Sequence, residues 1–532
     1  MISRAPQLPP RSLSKLLRYL ATTLICCIIA SIDLYAVDYY VDSEEGKDRW
    51  SGTSPSRAWK SLKRVNQKTF EAGDRILLRA GSVWKGQLSL RGEGQSGRPI
   101  TLSTYGDGDR PLIEGEGKRD YTLLLRNVQY WEVSGIEITN TGKTRGPGRR
   151  GVIVQAEDFG ESHHIHLSDL VIRDVNGSLR KKEQQGGSGI LVRCEGKEVP
   201  SRFVDLMIEN CHILRCERNG INFSGNYQRD SWFPSLQVVI RGNLLEGVPG
   251  DGIVPIGCDG ALVEHNVMRD CPDVLEPSEA AAGIWPWSSD NTIIQYNEVS
   301  GHNAKWDGQG FDADFNSFGT VIQYNYSHDN AGGFILICNR GDTLGTPGNM
   351  GTKDTVVRYN VSVNDGIREY PTKQAGWFTP VFHITGPVEN TKIYNNLIIL
   401  PKKRIDEIDS EIVHFNNWGG PWPKDTLFAN NIFIAEDSVG FHSEEDEGTV
   451  YTNNCYFGTF ERLPDDEAAI LEDPALADAS ARGDGFEILK AFMLRSDSPC
   501  IEAGLQGLED VSDLFGNVIG NEAVPSVGIH QF

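Results

Sequence analysis

One short pattern constrains this chain more than any other: an apolar run that leads into asparagine and then recurs. It reads Val239-Ile240-Arg241-Gly242-Asn243, Val263-Glu264-His265-Asn266, Ile294-Gln295-Tyr296-Asn297, Ile322-Gln323-Tyr324-Asn325, Val357-Arg358-Tyr359-Asn360, Ile393-Tyr394-Asn395-Asn396 and Leu427-Phe428-Ala429-Asn430-Asn431. The asparagines follow one another at 23, 31, 28, 35, 36 and 35 residues. Such intervals are too short for a domain and too irregular for a helical-pair repeat, but they suit one coil of a β-solenoid with loops of variable length. Gly and Asn punctuate β-branched runs, and no long stretch has the 3.6-residue period of a helix. The asparagines are therefore expected to be structural, as amide ladders inside the stack.

Between them lies a second repeated strand, usually opened by Gly: Gly220-Ile221-Asn222, Gly252-Ile253-Val254, Gly283-Ile284-Trp285, Gly310-Phe311-Asp312, Gly333-Phe334-Ile335, then Phe382-His383 and Val413-His414. Strand side chains alternate between faces. Placing the residue after Gly inward leaves an outward column of Asn222/Ser224, Val254/Ile256, Trp285/Trp287, Asp312/Asp314, Ile335/Ile337, His383/Thr385 and His414/Asn416. Coils stack ~4.8 Å apart, so the column is one continuous surface strip.

This repeat resembles the right-handed parallel β-helix of the pectate lyase and polygalacturonase superfamily. The opening Tyr39-Tyr40-Val41-Asp42 with Gly52-Thr53-Ser54-Pro55, and the closing Ser498-Pro499-Cys500-Ile501-Glu502-Ala503-Gly504, carry the resemblance to both ends. It implies an all-β fold, a single solenoid, in which the Asn turn joins the second and third strands of a coil. A long loop such as Ser300–Gln309 or Asn364–Thr379 would then precede each substrate-facing strand. The expected organisation is a signal peptide over 1–36, an N-terminal cap and first coils over 37–120, β-helix repeats over 121–460 and a C-terminal cap over 461–532. Leu62, Val65 and Phe70 between Lys60 and Phe70 predict an amphipathic helix over the first coil, and residues after about Phe460 are expected to close the other end.

Arg11, Lys15 and Arg18 precede an apolar run from Leu20 to Ile32, with a cleavage-like Leu34-Tyr35-Ala36. A secreted or periplasmic protein is expected, a monomer without stable membrane insertion once the leader is removed. Ten cysteines, less Cys26 and Cys27 in the leader, leave eight without metal-ligand spacing. A net charge of −22 argues against a nucleic-acid partner. Local basic clusters tell another story: Lys143, Arg145, Arg149 and Arg150; Arg180, Lys181 and Lys182; Lys402, Lys403 and Arg404. Gathered at one corner, they would suit an anionic glycan.

The chemistry centres on Asp312 and Asp314, whose backbones would lie roughly 6.6 Å apart on one strand face. Glycoside hydrolysis uses two carboxylates, one protonated for the leaving group and one ionised, and that separation leans towards inversion. Asp307, beside Trp306, is a third candidate that could displace either. By resemblance to polygalacturonases, His383 on a later coil joins the aspartates, although the signature tetrads of that group are missing. Trp285 and Trp287 offer apolar faces to a sugar ring, Asn222 a distal subsite, and His414 a donor. The leading expectation is thus a glycoside hydrolase acting on a polysaccharide or oligosaccharide, with no cofactor. The first alternative is a polysaccharide lyase with Lys305 or Arg340 as base or neutraliser and Ca²⁺ held by the paired aspartates. The second is a non-catalytic glycan-binding β-helix.

Overall fold

A computed structural model describes residues 36–341, 348–373, 376–442, 447–508, 512–520 and 523–532. Apart from Ala36, the expected leader falls outside these residues. Three strands make each coil. Arg150–Glu157 on a first face is followed by Glu161–Ser168 on a second and Val171–Asn176 on a third, and the next coil starts at Ser188–Glu195. Pairing between coils is parallel, with Val152 opposite Ile190, Ile165 opposite Leu206 and Ile172 opposite Ile213. The chain from Asp38 to Phe532 forms one compact unit built this way.

The repeated motif explains itself residue by residue. Its aliphatic member points inward and meets its counterpart in the next coil: Ile240, Val263, Ile294, Ile322, Val357, Ile393 and Phe428 are in register, and all are fully buried. The residue before each Asn takes a left-handed conformation, with φ of 53° at Tyr296, 57° at Tyr324 and 52° at Tyr359. That conformation is costly for a tyrosine, and stacking of the rings along the turn, 5.0 Å between Tyr296 and Tyr324, offsets it. Each buried Asn Nδ2 then donates to the Oδ1 of the next Asn at 2.9–3.0 Å, from Asn243 through Asn266, Asn297, Asn325, Asn360, Asn396 and Asn431 to Asn454. Asn454 ends the ladder on Asp466 at 3.0 Å. Replacing Asn325 by Ala removes the acceptor of the Asn297 amide and a donor to Ile294 O; urea unfolding should show a loss of about 1–3 kcal/mol.

The helix is shorter than expected, Leu62–Gln67, and buries Leu62 and Val65. Phe70 instead bridges to Gly92 beyond it. The C-terminal segment does more than close an end. Ile470 pairs with Cys455 at the last rung, and later residues run back along the outside of the Asn turns. There Leu489, Phe492, Val527 and Ile529 pack on Tyr326, Tyr359 and Leu397, and the hydroxyls of Tyr324 and Tyr326 donate to Ser512 O and Gly483 O at 2.8 and 2.9 Å. The exposed tyrosine stack drives this course, because left bare it would be a large apolar patch. Cys194, Cys211, Cys216, Cys258, Cys271, Cys338, Cys455 and Cys500 are buried and unbridged. Among the described residues no helix is long and apolar enough to cross a membrane.

Candidate active site

On the first face the expected column holds for four coils, from Asn222 through Val254 and Trp285 to Asp312, and then shifts by one residue. Ile284 bridges to Phe311, so Trp285 and Trp287 lie beside Asp312 and Asp314 as expected. On the following coil Gln309 pairs with Gly333, Phe311 with Ile335 and Asp312 with Leu336. Gly333 is therefore the counterpart of Gln309, not of Gly310. Ile335 and Ile337 turn into the core, fully buried, and the outward neighbours of the aspartates are Leu336 and Cys338. The reason is Phe334, which fills the interior between Phe311 and Phe382 with ring centroids 6.0 and 5.6 Å away.

Above this floor opens a cleft of about 610 Å³ lined by Lys181, Asp251, Ala280–Ala282, Trp285, Trp306, Asp307, Asp312, Asp314, Phe315, Leu336, Cys338 and Trp418. One wall comes from the loops that precede first-face strands, as the repeat implies. There Ala280–Ala281 pairs with Trp306–Asp307, and buried Arg368 donates to Ala304 O and Asp307 O at 2.8 and 2.5 Å. Gly332 packs so closely that a Cβ would sit 1.9 Å from Asp307 O. Asp307 itself has φ 63°. A pinned backbone of this kind fixes where its carboxyl stands. Trp306 and Trp418 are 41% and 44% exposed at the rim.

The three acids differ. Asp312 is 3% exposed and its Oδ1 has no hydrogen-bond partner; burial first, then Asp314 and Asp307, push its pKa well above the carboxylate range. Asp307 is half-buried, and burial, with Asp314 and Asp251 adding repulsion against Lys181, pushes it up to about 7. Asp314, also half-buried, is raised by burial to about 6 while donors resist the rise. Those donors are Phe315 N at 2.6 Å and the Cys338 thiol at 3.1 Å, both to Oδ1. Asp251 is the opposite case: burial would raise its pKa, but Lys181 and Arg218 hold it low. Its Oδ2 lies 3.5 Å from Lys181 Nζ and 2.5 Å from Arg218 Nη1.

Of the residues singled out in the sequence, Trp285, Trp306, Asp307, Asp312 and Asp314 meet in the cleft. Asn222, with an orphaned buried Oδ1, lines an adjoining pocket of about 140 Å³ with Trp287 and Gln185. Others stand apart. His383 is opposite Leu336, and His414 opposite His383, so they lie two and three rungs from Asp312. Burial pushes the His383 pKa down to about 3, with His414 adding to it, and His414 Nδ1 is engaged by Glu411 at 2.6 Å. Lys305 pairs with Asp273 at 2.7 Å and donates to Leu275 O. Arg340 is exposed just past the Gly333–Cys338 strand, outside the cleft lining. The first two basic loops meet, Arg150 donating to Gln184 O at 2.5 Å and Gly146 bridging to Gly177, yet they bring little charge to the cleft. Arg145 pairs with Glu217, Arg180 with Glu276 and Arg404 with Glu369, and only Lys181 reaches the cleft, which carries four aspartates. Arg145, Arg180 and Arg404 are thus engaged by acids, and the cleft presents one lysine and four aspartates to a glycan. The sequence reading missed Asp251, Lys181 as a site residue, Cys338 and Trp418. Each arrives from a loop or a shifted register with no repeat signal of its own.

Residues 183–361 match the family described as right handed beta helix region. A lacto-N-biosidase of Bifidobacterium longum subsp. longum is 29% identical over 84% of this chain, and the chain spans about a third of that relative, 32% of its length. The crystal structure of a GH136 lacto-N-biosidase from Eubacterium ramulus is similar with 25% identity and a TM-score of 0.57, over 76% of this chain and 69% of that one. An alpha-1,3-galactosidase A of Akkermansia muciniphila is 34% identical over 64 residues, 12% of this chain and 11% of its own. Coil geometry, family match and the likeness in sequence and structure to these carbohydrate-active enzymes make the chain a right-handed parallel β-helix protein.

Proposed function

We propose that this protein is a glycoside hydrolase of the lacto-N-biosidase kind, releasing a lacto-N-biose unit from an oligosaccharide, with Asp307 and Asp314 as the reacting pair. The observation that carries the reading is the gathering of Asp307, Asp312 and Asp314 with Trp285, Trp306 and Trp418 in one cleft. Asp307, near 7, is protonated at the upper end of acidic pH and serves as the acid for the leaving oxygen. Asp314, near 6 and held by two donors, is the carboxylate that faces the anomeric carbon. Asp312, the most buried of the three, stays neutral between them and offers a hydroxyl rather than a charge. Asp251 and Lys181 form a fixed dipole at the cleft wall. Trp285, Trp306 and Trp418 supply the apolar faces on which a neutral sugar stacks. His383, buried two rungs away and outside the cleft lining, is assigned to support of Trp418 at 5.9 Å, not to proton transfer. A secreted or periplasmic location belongs to the same reading.

The similarity to lacto-N-biosidases, covering most of this chain, supports hydrolysis over elimination. So do the engagement of Lys305 with Asp273 and the place of Arg340 outside the cleft lining, the two residues expected to serve the lyase alternative. Incubation with p-nitrophenyl lacto-N-bioside tests the proposal: release of p-nitrophenol and a disaccharide carrying one added water supports it. An unsaturated product, or inertness towards this and other neutral aryl glycosides, overturns it.

Activity is expected to be bell-shaped in pH. It rises as Asp314 ionises around pH 6 and falls as Asp307 ionises around pH 7. A kcat/KM profile read from pH 4 to 9 checks both limbs; Asp307→Asn should abolish the alkaline one.

A further inference from the structure

Outside the cleft, a second cluster of titratable groups lies on the outer surface of the second face, spread over three consecutive coils. His166 stands directly across from Glu132 in the parallel pairing. One coil further on, His163 pairs with Val204 and Ile165 with Leu206. Between those pairs His164 and Asp205 kink the two strands together, with φ of 53° and 64°. The kink recurs on the next coil at Gln237, so it belongs to the fold; what is particular to this place is the chemistry set upon it.

Asp205 binds both imidazoles. Its Oδ2 lies 2.7 Å from His164 Nδ1 and its Oδ1 2.9 Å from His166 Nε2. With those two nitrogens donating to the carboxylate, each ring is left with a lone pair on its other nitrogen. For His164 this is Nε2, 3.1 Å from Glu132 Oε1. The rings are 3.9 Å apart, and Tyr130 stacks on His164 from the other side at 6.0 Å. One ligand atom each from Glu132, His164 and His166 lies within 4.8 Å of the others. All three side chains are partly open to solvent, so an ion has a path in.

We propose that Glu132, His164 and His166 bind a transition-metal dication of the zinc class, with Asp205 fixing the tautomer and orientation of both imidazoles. Two imidazoles and one carboxylate suit Zn²⁺, whereas Ca²⁺ and Mg²⁺ prefer an all-oxygen set. A carboxylate behind each ligating histidine is the usual outer partner of such sites. Bound there, the ion adds a link between the coil of Glu132 and the coil of His164 and His166, and its effect is on stability.

The test uses the full chain, free of any affinity tag and stripped with EDTA, titrated with ZnCl₂ by calorimetry and then melted. One Zn²⁺ per chain and a higher Tm are expected for the wild type, with no comparable response to CaCl₂. His164→Ala and His166→Ala should lose that site, and Asp205→Asn should weaken it about 10–100-fold. Glu132→Gln, which keeps size and shape, reads the same loss should a histidine variant fold poorly. Zinc binding that is absent in the wild type, or that survives in these variants because Glu411, His414 and His442 hold the ion instead, overturns the assignment.

Discussion

Asp307→Asn and Asp314→Asn should each lower kcat by about 10²–10⁴-fold and, at neutral pH, raise the melting temperature. The two effects share one cause. Both carboxyls have folded pKa values, about 7 and about 6, above the ordinary value of 3.8 that the unfolded chain restores. The native state therefore binds more protons than the unfolded state, and stability falls as pH rises. The fall runs from about pH 4 to about 6 for Asp314 and to about 7 for Asp307, and the full cost is present above. Asparagine removes a charge that the cleft holds against its tendency to neutralise, so Tm should exceed wild type at pH 8 and match it near pH 3. Asp312→Asn is the contrast. Burial biases its carboxyl towards the neutral form, and an amide of the same shape should keep kcat within about tenfold, the scale of one hydrogen bond. Equal losses at Asp312 and Asp307 would transfer the acid role to Asp312.

Arg218→Met should destabilise the protein by up to about 3–5 kcal/mol, the scale of breaking a buried pair, because Lys181 at 3.5 Å is then the cation left beside Asp251. Arg218 is fully buried. It donates to Asp251 Oδ2 at 2.5 Å, to Asn219 Oδ1 at 2.9 Å and to Ala280 O. It thus joins the floor of the groove to the loop that carries the Ala280–Ala281 bridge and, through it, Trp306 and Asp307. Urea unfolding should register the loss, and kcat/KM should fall with it because the acid loses its wall. The double variant Arg218→Met, Asp251→Leu removes the under-compensated buried charge and should recover most of the stability but not the activity, since Lys181 then faces the cleft without Asp251. Recovery of both would reduce the pair to a structural role.

How much of this was legible beforehand differs by element. The Asn ladder and the aliphatic ladder were plain in the sequence, because both depend on one residue meeting its own kind every coil. The first-face column was legible where the Gly-led strands are alike, which placed Trp285, Trp287, Asp312 and Asp314 correctly. It failed at Gly332-Gly333, where two adjacent glycines leave the register ambiguous and the volume of Phe334 settles it. A one-residue slip exchanges inside for outside, which is why Ile335 and Ile337 gave way to Leu336 and Cys338. The basic loops misled for a different reason: their partners, Glu217, Glu276 and Glu369, are 35 to 96 residues away.

By itself, then, the amino-acid sequence determined a stacked, three-faced β-helix and the strip on which its chemistry would lie, because periodic local signals propagate from coil to coil. Only the tertiary structure decided that Asp307 stands in one cleft with Asp312 and Asp314 and that Asp251 and Lys181 line it with them. Those groups sit on loops without period, and their acidities depend on burial and on neighbours that the chain brings together only when it is folded.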